Sequence, residues 1–362
     1  MADILTSDPV FYFKLLLSEY TEAQQLLYQK GMFILFAQSP EEWFMVKLCS
    51  PFALLGFQTF LGTTLFLSFI SLLGSWFLFS TMNRILPDKS RFLFFINFLF
   101  PSVLFWGSGI MKDTVTLACF SIGIALFYKL LYHEGSRFWR VTWMIFLFYL
   151  IYQLKAYITI AFLVWVLITG FLITYKKIDS FFLKMLSIPF LLVLFGAIGY
   201  LGFDQVVQSS YKYKADNVIN RMEGFHSWHK TLGGSAYDLY ITDYTPLGLL
   251  AKFPQGVNVT LFRPYVWEAH NAFMLLNALE SFFLLTFTLW VLLKTRRSFF
   301  TLLRANPYLF GGLIFVLFFA YAIGISSYNF GALVRFKIPL LALYLFILFY
   351  ILQEYEKRKI QA

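Results

Sequence analysis

Windows of about 20 predominantly apolar residues recur along almost the whole chain, the length of helix needed to cross a hydrocarbon core of about 30 Å. The runs 313–319 and 345–349 are apolar without a break. A membrane β-barrel would instead alternate apolar and polar residues in strands of about ten, so that fold is set aside. Composition agrees: of 362 residues, 59% are apolar, 22% aromatic and 13% charged, and the mean hydropathy is +0.69. That leaves too little polar surface for a soluble globule of this size. The chain reads as an all-α integral membrane protein with lipid as its main solvent.

Polar breaks divide the apolar windows into about nine expected transmembrane helices: 52–79, 92–106, 114–132, 141–153, 157–175, 185–203, 271–293, 308–325 and 338–353. The windows 92–106 and 141–153 are short, which suits tilted or partly re-entrant segments. Basic residues concentrate in one set of loops: Arg84, Lys89 and Arg91; Lys129, Arg137 and Arg140; Lys176, Lys177 and Lys184; Lys294, Arg296, Arg297 and Arg304; Lys357, Arg358 and Lys359. The positive-inside rule makes these loops cytoplasmic. They hold 16 of the 29 Lys and Arg residues, so the net charge of +10 is a topology signal. Nucleic-acid binding, the other use of such a charge, loses its support.

On this topology, residues 1–50 form an outer-face segment and 51–203 carry spans one to six. A large outer loop, 204–270, follows, and 271–362 hold spans seven to nine with a cytoplasmic tail. Phe11, Phe13, Leu15, Leu16, Leu17, Tyr20, Leu26 and Leu27 interleave with Lys14, Glu19, Glu22 and Gln24, the pattern of an interfacial amphipathic helix. No basic stretch, short apolar core and small-residue cleavage site open the chain, so the first span is expected to act as the insertion signal. Cys49 and Cys119 lie in or beside apolar windows and read as small buried residues without metal or disulfide roles.

Four clusters place cations at outer helix ends: Lys112 beside Asp113, Lys155 between Gln153 and Tyr157, Arg263 before Pro264, and Arg335 with Lys337 after Gly331. A cation in or beside hydrocarbon costs a few kcal/mol unless it is paired, snorkels or faces water. The functional reading is that these cations converge on an anionic headgroup, most simply a diphosphate, which suits the planar fork of arginine and the point charge of lysine. The bland reading is snorkelling anchors or ion pairs, with Lys112 satisfied by Asp113. A second constellation is Glu268, His270 and Asn271, running into a span with Asn277 and Glu280. At about 100° per residue, His270, Asn277 and Glu280 are expected on one helix face, and Glu268 with Asn271 on another. Glu268 or His270 is the candidate general base, and Glu280 is the deepest carboxylate. The alternative is structural: Glu280 bonded to a neighbouring helix, His270 capping its own.

Gly107 and Gly109 are not followed by the Gly-Lys-Ser/Thr of a phosphate loop. His226 and His229 lack further ligands in a zinc pattern. No metal and no cofactor are implied. The Asn258-Val-Thr260 sequon is a three-residue match of little weight.

Three stretches carry a family resemblance: Phe100-Pro101-Ser102 through Trp106, Lys112 and Asp113; Thr260-Leu-Phe-Arg263-Pro264-Tyr265-Val-Trp267-Glu268; and Asn329-Phe-Gly331-Ala-Leu-Val-Arg335-Phe-Lys337-Ile-Pro339. They resemble bacterial O-antigen polymerase (Wzy) and exopolysaccharide polymerase (EpsG-like) membrane proteins. The resemblance implies joining of polyprenyl-diphosphate-linked glycans on the outer face of an inner membrane, without metal or nucleotide sugar. It would put Arg263 and Arg335 on diphosphates, with Lys112 and Lys155 assisting. Membrane lipids and envelope-biosynthesis proteins would be its other partners. Two further classes remain open: a transporter or flippase for a lipid-linked or anionic substrate, and a non-catalytic subunit of an envelope assembly machine.

Overall fold

The computed structural model describes residues 2–32, 39–132, 135–187, 189–190, 193, 224, 235–243 and 245–361. In chain order the helices are α1 (Ala2–Ser7), α2 (Pro9–Leu17), α3 (Tyr20–Gln29), α4 (Pro40–Leu55), α5 (Phe60–Ile85), α6 (Ser90–Phe94), α7 (Pro101–Trp106), α8 (Lys112–Leu131) and α9 (Arg137–Lys177). After the large loop come α10 (Pro246–Ala251), α11 (Phe253–Phe262), α12 (Ala272–Thr295), α13 (Ser298–Ala305), α14 (Pro307–Ser327), α15 (Phe330–Phe336) and α16 (Ile338–Gln361). Among the described residues no strand forms; the only sheet-like pairing is one bridge between Ala236 and Asn329. Among the described residues, six helices are long and apolar enough to cross a membrane: α5, α8, α9, α12, α14 and α16.

Nine windows therefore map onto fewer continuous helices among the described residues, for two physical reasons. The window 92–106 is broken: α6 passes into a π-helical turn, Phe95–Leu99, and ends at Phe100, whose extended backbone (ψ 124°) precedes Pro101. Proline disfavours helical geometry in the residue before it, so α7 starts afresh. The windows 141–153 and 157–175 belong to one bent element, α9, in which Lys155 departs from helical geometry (φ −152°, ψ 74°). There the chain folds back: Thr159 Oγ1 donates to the carbonyl of Phe148 across 3.2 Å. Eleven residues of straight helix would separate them by about 16 Å. Each limb, 137–154 and 156–177, is about 30 Å long. The window 185–203 lies largely outside the described residues, as do His226 and His229.

The chain forms two compact units, Met1–Thr81 with Val103–Thr159 and Met82–Ser102 with Ile160–Ala362. These cut across the linear division into segments and loops, because helix ends pair by packing and not by sequence order. In the first unit, the N-terminal segment is three short helices instead of one. Asp8 caps α2 by accepting from Phe11 N (3.0 Å), Ser18 ends it, and Ser39 caps α4. Phe11, Leu15, Ala23, Leu27 and Trp43 form a small core of their own. Phe57 and Gln58 take left-handed backbone (φ 54° and 58°), which separates α4 from α5 and shifts the first span from 52–79 to 60–85. Burial pushes the Cys49 thiol up to about 11, so it stays protonated and inert.

In the second unit α16 is the central helix, buried along nearly all of 338–352. Asparagines start three of its neighbours: Asn271 Oδ1 accepts from Met274 N (2.8 Å), Asn306 Oδ1 from Tyr308 N (3.1 Å), and Asn329 Oδ1 from Gly331 N (2.8 Å). Each satisfies an otherwise orphaned donor of a first helical turn. Helices α11 and α14 approach closely because both present glycine: a Cβ on Gly324 would lie 2.2 Å from the carbonyl oxygen of Gly256. Thr260 Oγ1 adds a bond to the Ala320 carbonyl (2.6 Å). Small residues with one buried hydroxyl are how helices pack where lipid removes the hydrophobic driving force. On α12, Phe273, Leu276, Leu279, Phe282, Leu289 and Leu293 are exposed, as a lipid-covered face requires.

Candidate functional site

Within the second unit, stretches from two expected outer loops, 204–270 and 326–337, come together. Tyr237 N donates to the Tyr328 carbonyl (3.1 Å) and Phe330 N to the Ser235 carbonyl (2.9 Å). Tyr328 makes this possible by taking a left-handed backbone (φ 49°) after α14 and turning the chain into α15. The Tyr237 hydroxyl donates to the Gly324 carbonyl (2.7 Å). Burial holds the Tyr237 phenol well above its ordinary value, so it remains a protonated donor.

Arg263 sits beside this junction. It is the first residue after α11, with extended backbone, and precedes a cis bond to Pro264. Its guanidinium carbon lies 5.3 Å from the Phe330 ring, 5.8 Å from Tyr265 and 6.0 Å from Tyr237, within cation–π range. Nε donates to both carboxylate oxygens of Glu268 (3.1 and 3.0 Å), and Nη2 closes the ion pair. The short 3-10 turn Val266–Glu268 brings the carboxylate back, with Tyr265 N donating to it (2.8 Å). Both side chains keep about a fifth of their surface, 20% and 21%. A guanidinium offers five N–H donors, and Glu268 engages only Nε and Nη2.

A second, enclosed network is joined to it through the Arg263 backbone. Ser281 Oγ donates to the Arg263 carbonyl (2.9 Å) and accepts from Lys337 Nζ (3.2 Å). Lys337 stands 3.6 Å from Glu280, and both side chains are 0% exposed. The Glu280 carboxylate also accepts from Ser102 N and Ser102 Oγ, each at 2.9 Å. Unpaired, either charge would cost several kcal/mol in such surroundings. Lys337 and Glu280 are therefore buried partners that hold Ser102, Ser281 and the Arg263 backbone in place; Lys337, expected at a headgroup, is enclosed, and Glu280 takes the structural alternative of bonding to neighbouring elements.

Other expected residues fall differently. His270 and Asn271 precede α12, so the shared helix face of His270, Asn277 and Glu280 does not form. His270 is exposed, and the capping role belongs to Asn271, whose side chain is thereby occupied. Arg335 is half-buried on α15 with its guanidinium 5.1 Å from the Phe336 ring. In the first unit, Lys155 pairs with Asp113, both under 10% exposed, while Lys112 stands 4.0 Å from Glu42. Asp113 turns to Lys155 and Lys112 towards Glu42, as adjacent residues on a helix project about 100° apart. Lys155, like Lys337, is enclosed with a carboxylate.

Ser281 and Tyr237 were not singled out from the sequence, while Ser102 and Asp113 entered only within a stretch of resemblance, Asp113 also as the expected partner of Lys112. A hydroxyl flanking the one deep glutamate, Ser281 after Glu280, was the available signal. Among the described residues, no group of three His, Cys, Asp or Glu is placed to hold a metal ion. Comparison with known proteins yields no matching family model, no matching curated protein and no matching solved structure.

Proposed function

We propose that this chain is a membrane glycosyltransferase of the polysaccharide-polymerase type, acting on polyprenyl-diphosphate-linked glycans at the outer face of a bacterial inner membrane. The accompanying topology is about nine crossings with residues 1–50 outside and the C-terminus inside. The observation that carries the reading is the Arg263–Glu268 pair, partly open, ringed by aromatic side chains and braced from behind by Ser281. It couples a diphosphate-binding fork to a carboxylate in one place.

The pair supplies a sequence of events. An arriving diphosphate competes with Glu268 for the arginine fork, since phosphate oxygens accept the same charge-assisted bonds. Glu268, released, accepts the proton of an acceptor sugar hydroxyl. The hydroxyl oxygen forms the new bond to the anomeric carbon, the bond from that carbon to phosphate breaks, and the polyprenyl diphosphate leaves with the electron pair. Arg263 stabilises the leaving charge, and the aromatic rings of Tyr265 and Trp267, stacked at 4.8 Å, offer a face for sugar. Arg335 serves a second phosphate in this reading.

The test is complementation of a deletion strain with tagged Arg263→Ala, Arg263→Lys, Glu268→Gln and Arg335→Ala, reading surface-glycan length on a gel. Arg263→Ala and Glu268→Gln present at normal level should leave single repeat units, a loss of at least about 100-fold in polymer. Arg263→Lys should recover little, because the fork is lost while the charge stays. Normal glycan length in these variants would remove the proposal. The buried Lys155–Asp113 and Lys337–Glu280 pairs favour one second reading, a transporter, because intramembrane ionisable groups mark substrate and proton paths. It predicts loss of lipid-linked units on the outer face, instead of accumulation of unjoined ones.

A further inference from the structure

At the other end of α12 and α16 lies a cleft of about 400 Å³ lined by Arg297, Ser298, Thr301, Leu302, Tyr355, Arg358 and Lys359. Its two walls arise from helical spacing. Arg297, Ser298 and Thr301 open α13, and Tyr355, Arg358 and Lys359 sit at i, i+3 and i+4 on the last turns of α16, so each set shares a face. Leu302 is buried at the cleft. Among the described residues, three cations and three hydroxyls line it, and no carboxylate does.

The nearby carboxylates are committed elsewhere. Glu356 pairs with Lys294 at 2.5 Å, tying the end of α12 to α16, and Glu354 pairs with Lys357 at 3.5 Å. The positive-inside rule accounts for basic residues at such an end, but not for their grouping around a cavity with hydroxyl donors, where the carboxylate charge that reaches Lys359 is that of Glu356, itself paired with Lys294. Guanidinium, ammonium and hydroxyl groups together match the oxygens of a phosphodiester. The flanking elements carry exposed apolar side chains, Leu293 (72%) before the cleft and Phe300 (58%) on α13. An anion bound here would have apolar surface beside it for acyl chains, which a free phosphate does not need.

We propose that this cleft is a binding site for the phosphate headgroup of an anionic membrane phospholipid. It is independent of the outer-face chemistry proposed above. The test is native mass spectrometry of the full chain in detergent, titrated with phosphatidylglycerol, with phosphatidylcholine and with inorganic phosphate. It compares wild type with Arg297→Gln/Arg358→Gln/Lys359→Gln and with a charge-matched control, Lys89→Gln/Arg91→Gln/Arg137→Gln.

Wild type and control should retain one phosphatidylglycerol, and the cleft variant should bind it about tenfold or more weakly. Phosphatidylcholine should not saturate the site. Equal weakening in both variants would mean that overall basicity is responsible and would overturn the proposal, as would tight binding of inorganic phosphate without preference for the lipid. Should the triple variant not remain monodisperse, Arg358→Gln alone takes its place, with at least threefold weaker binding expected and unchanged binding overturning the site.

Discussion

At the scale of single residues, chemistry in this chain depends on which charges are enclosed and which are left partly open. Lys337 and Glu280 are enclosed with each other and with two serines. Removing one partner leaves the other charged and buried, so Lys337→Met or Glu280→Gln should each destabilise by about 3–5 kcal/mol. The double variant Glu280→Gln/Lys337→Met should recover most of that loss, since a buried pair roughly breaks even against a neutral replacement. Unfolding in mixed detergent, followed by tryptophan fluorescence, measures the cycle; additive losses would show that the two side chains act separately. Arg263 and Glu268, being partly open, belong to the other class: their replacement should change glycan products more than stability.

At the scale of elements, helix starts and close approaches carry the architecture. Asn329 ends the turn from α14 and caps α15 with two accepted bonds, from Gly331 N and Ala332 N. Asn329→Ala should cost about 1 kcal/mol, and because α15 bears Arg335, glycan length should shorten with it. The contact of α11 with α14 leaves no room for a side chain at Gly324. Gly324→Ala should cost about 1–3 kcal/mol by pushing the helices apart, visible as a lower unfolding midpoint in the same assay. The bend in α9 depends on Lys155 meeting Asp113. Lys155→Met should leave an uncompensated carboxylate and lower the protein level in membranes, with Asp113→Asn/Lys155→Met restoring it.

At the scale of the whole molecule, six helices among the described residues have the length and composition to cross a membrane, and basic residues gather at particular ends. Lys294 at the end of α12 and Glu356 near the end of α16 pair at 2.5 Å, which levels those two ends. Single cysteines introduced at Lys89, Lys177 and Arg297, in a chain lacking Cys49 and Cys119, should react with a membrane-impermeant maleimide only after the membrane is opened. Cysteines at Tyr240 and His270 should react in intact spheroplasts. Labelling of Tyr240→Cys only after opening would invert the topology and with it the outer-face site.

Much of the fold was legible because membrane spans are written in composition: α8, α12 and α14 follow their apolar windows within a few residues, while α5 is shifted and α16 runs on to Gln361. Basic loops and asparagine caps are local signals too, since each rests on residues next to one another in sequence. The sequence alone thus determined a helical membrane chain and a set of residues to examine. Tertiary structure decided partners. Glu268 on Arg263, Asp113 on Lys155 across 42 positions and Ser102 on Glu280 across 178 are choices made by packing. The physical reason is that a buried charge must be matched by whatever donor or acceptor the neighbouring helix presents, and neither hydropathy nor helical periodicity records which helix that is.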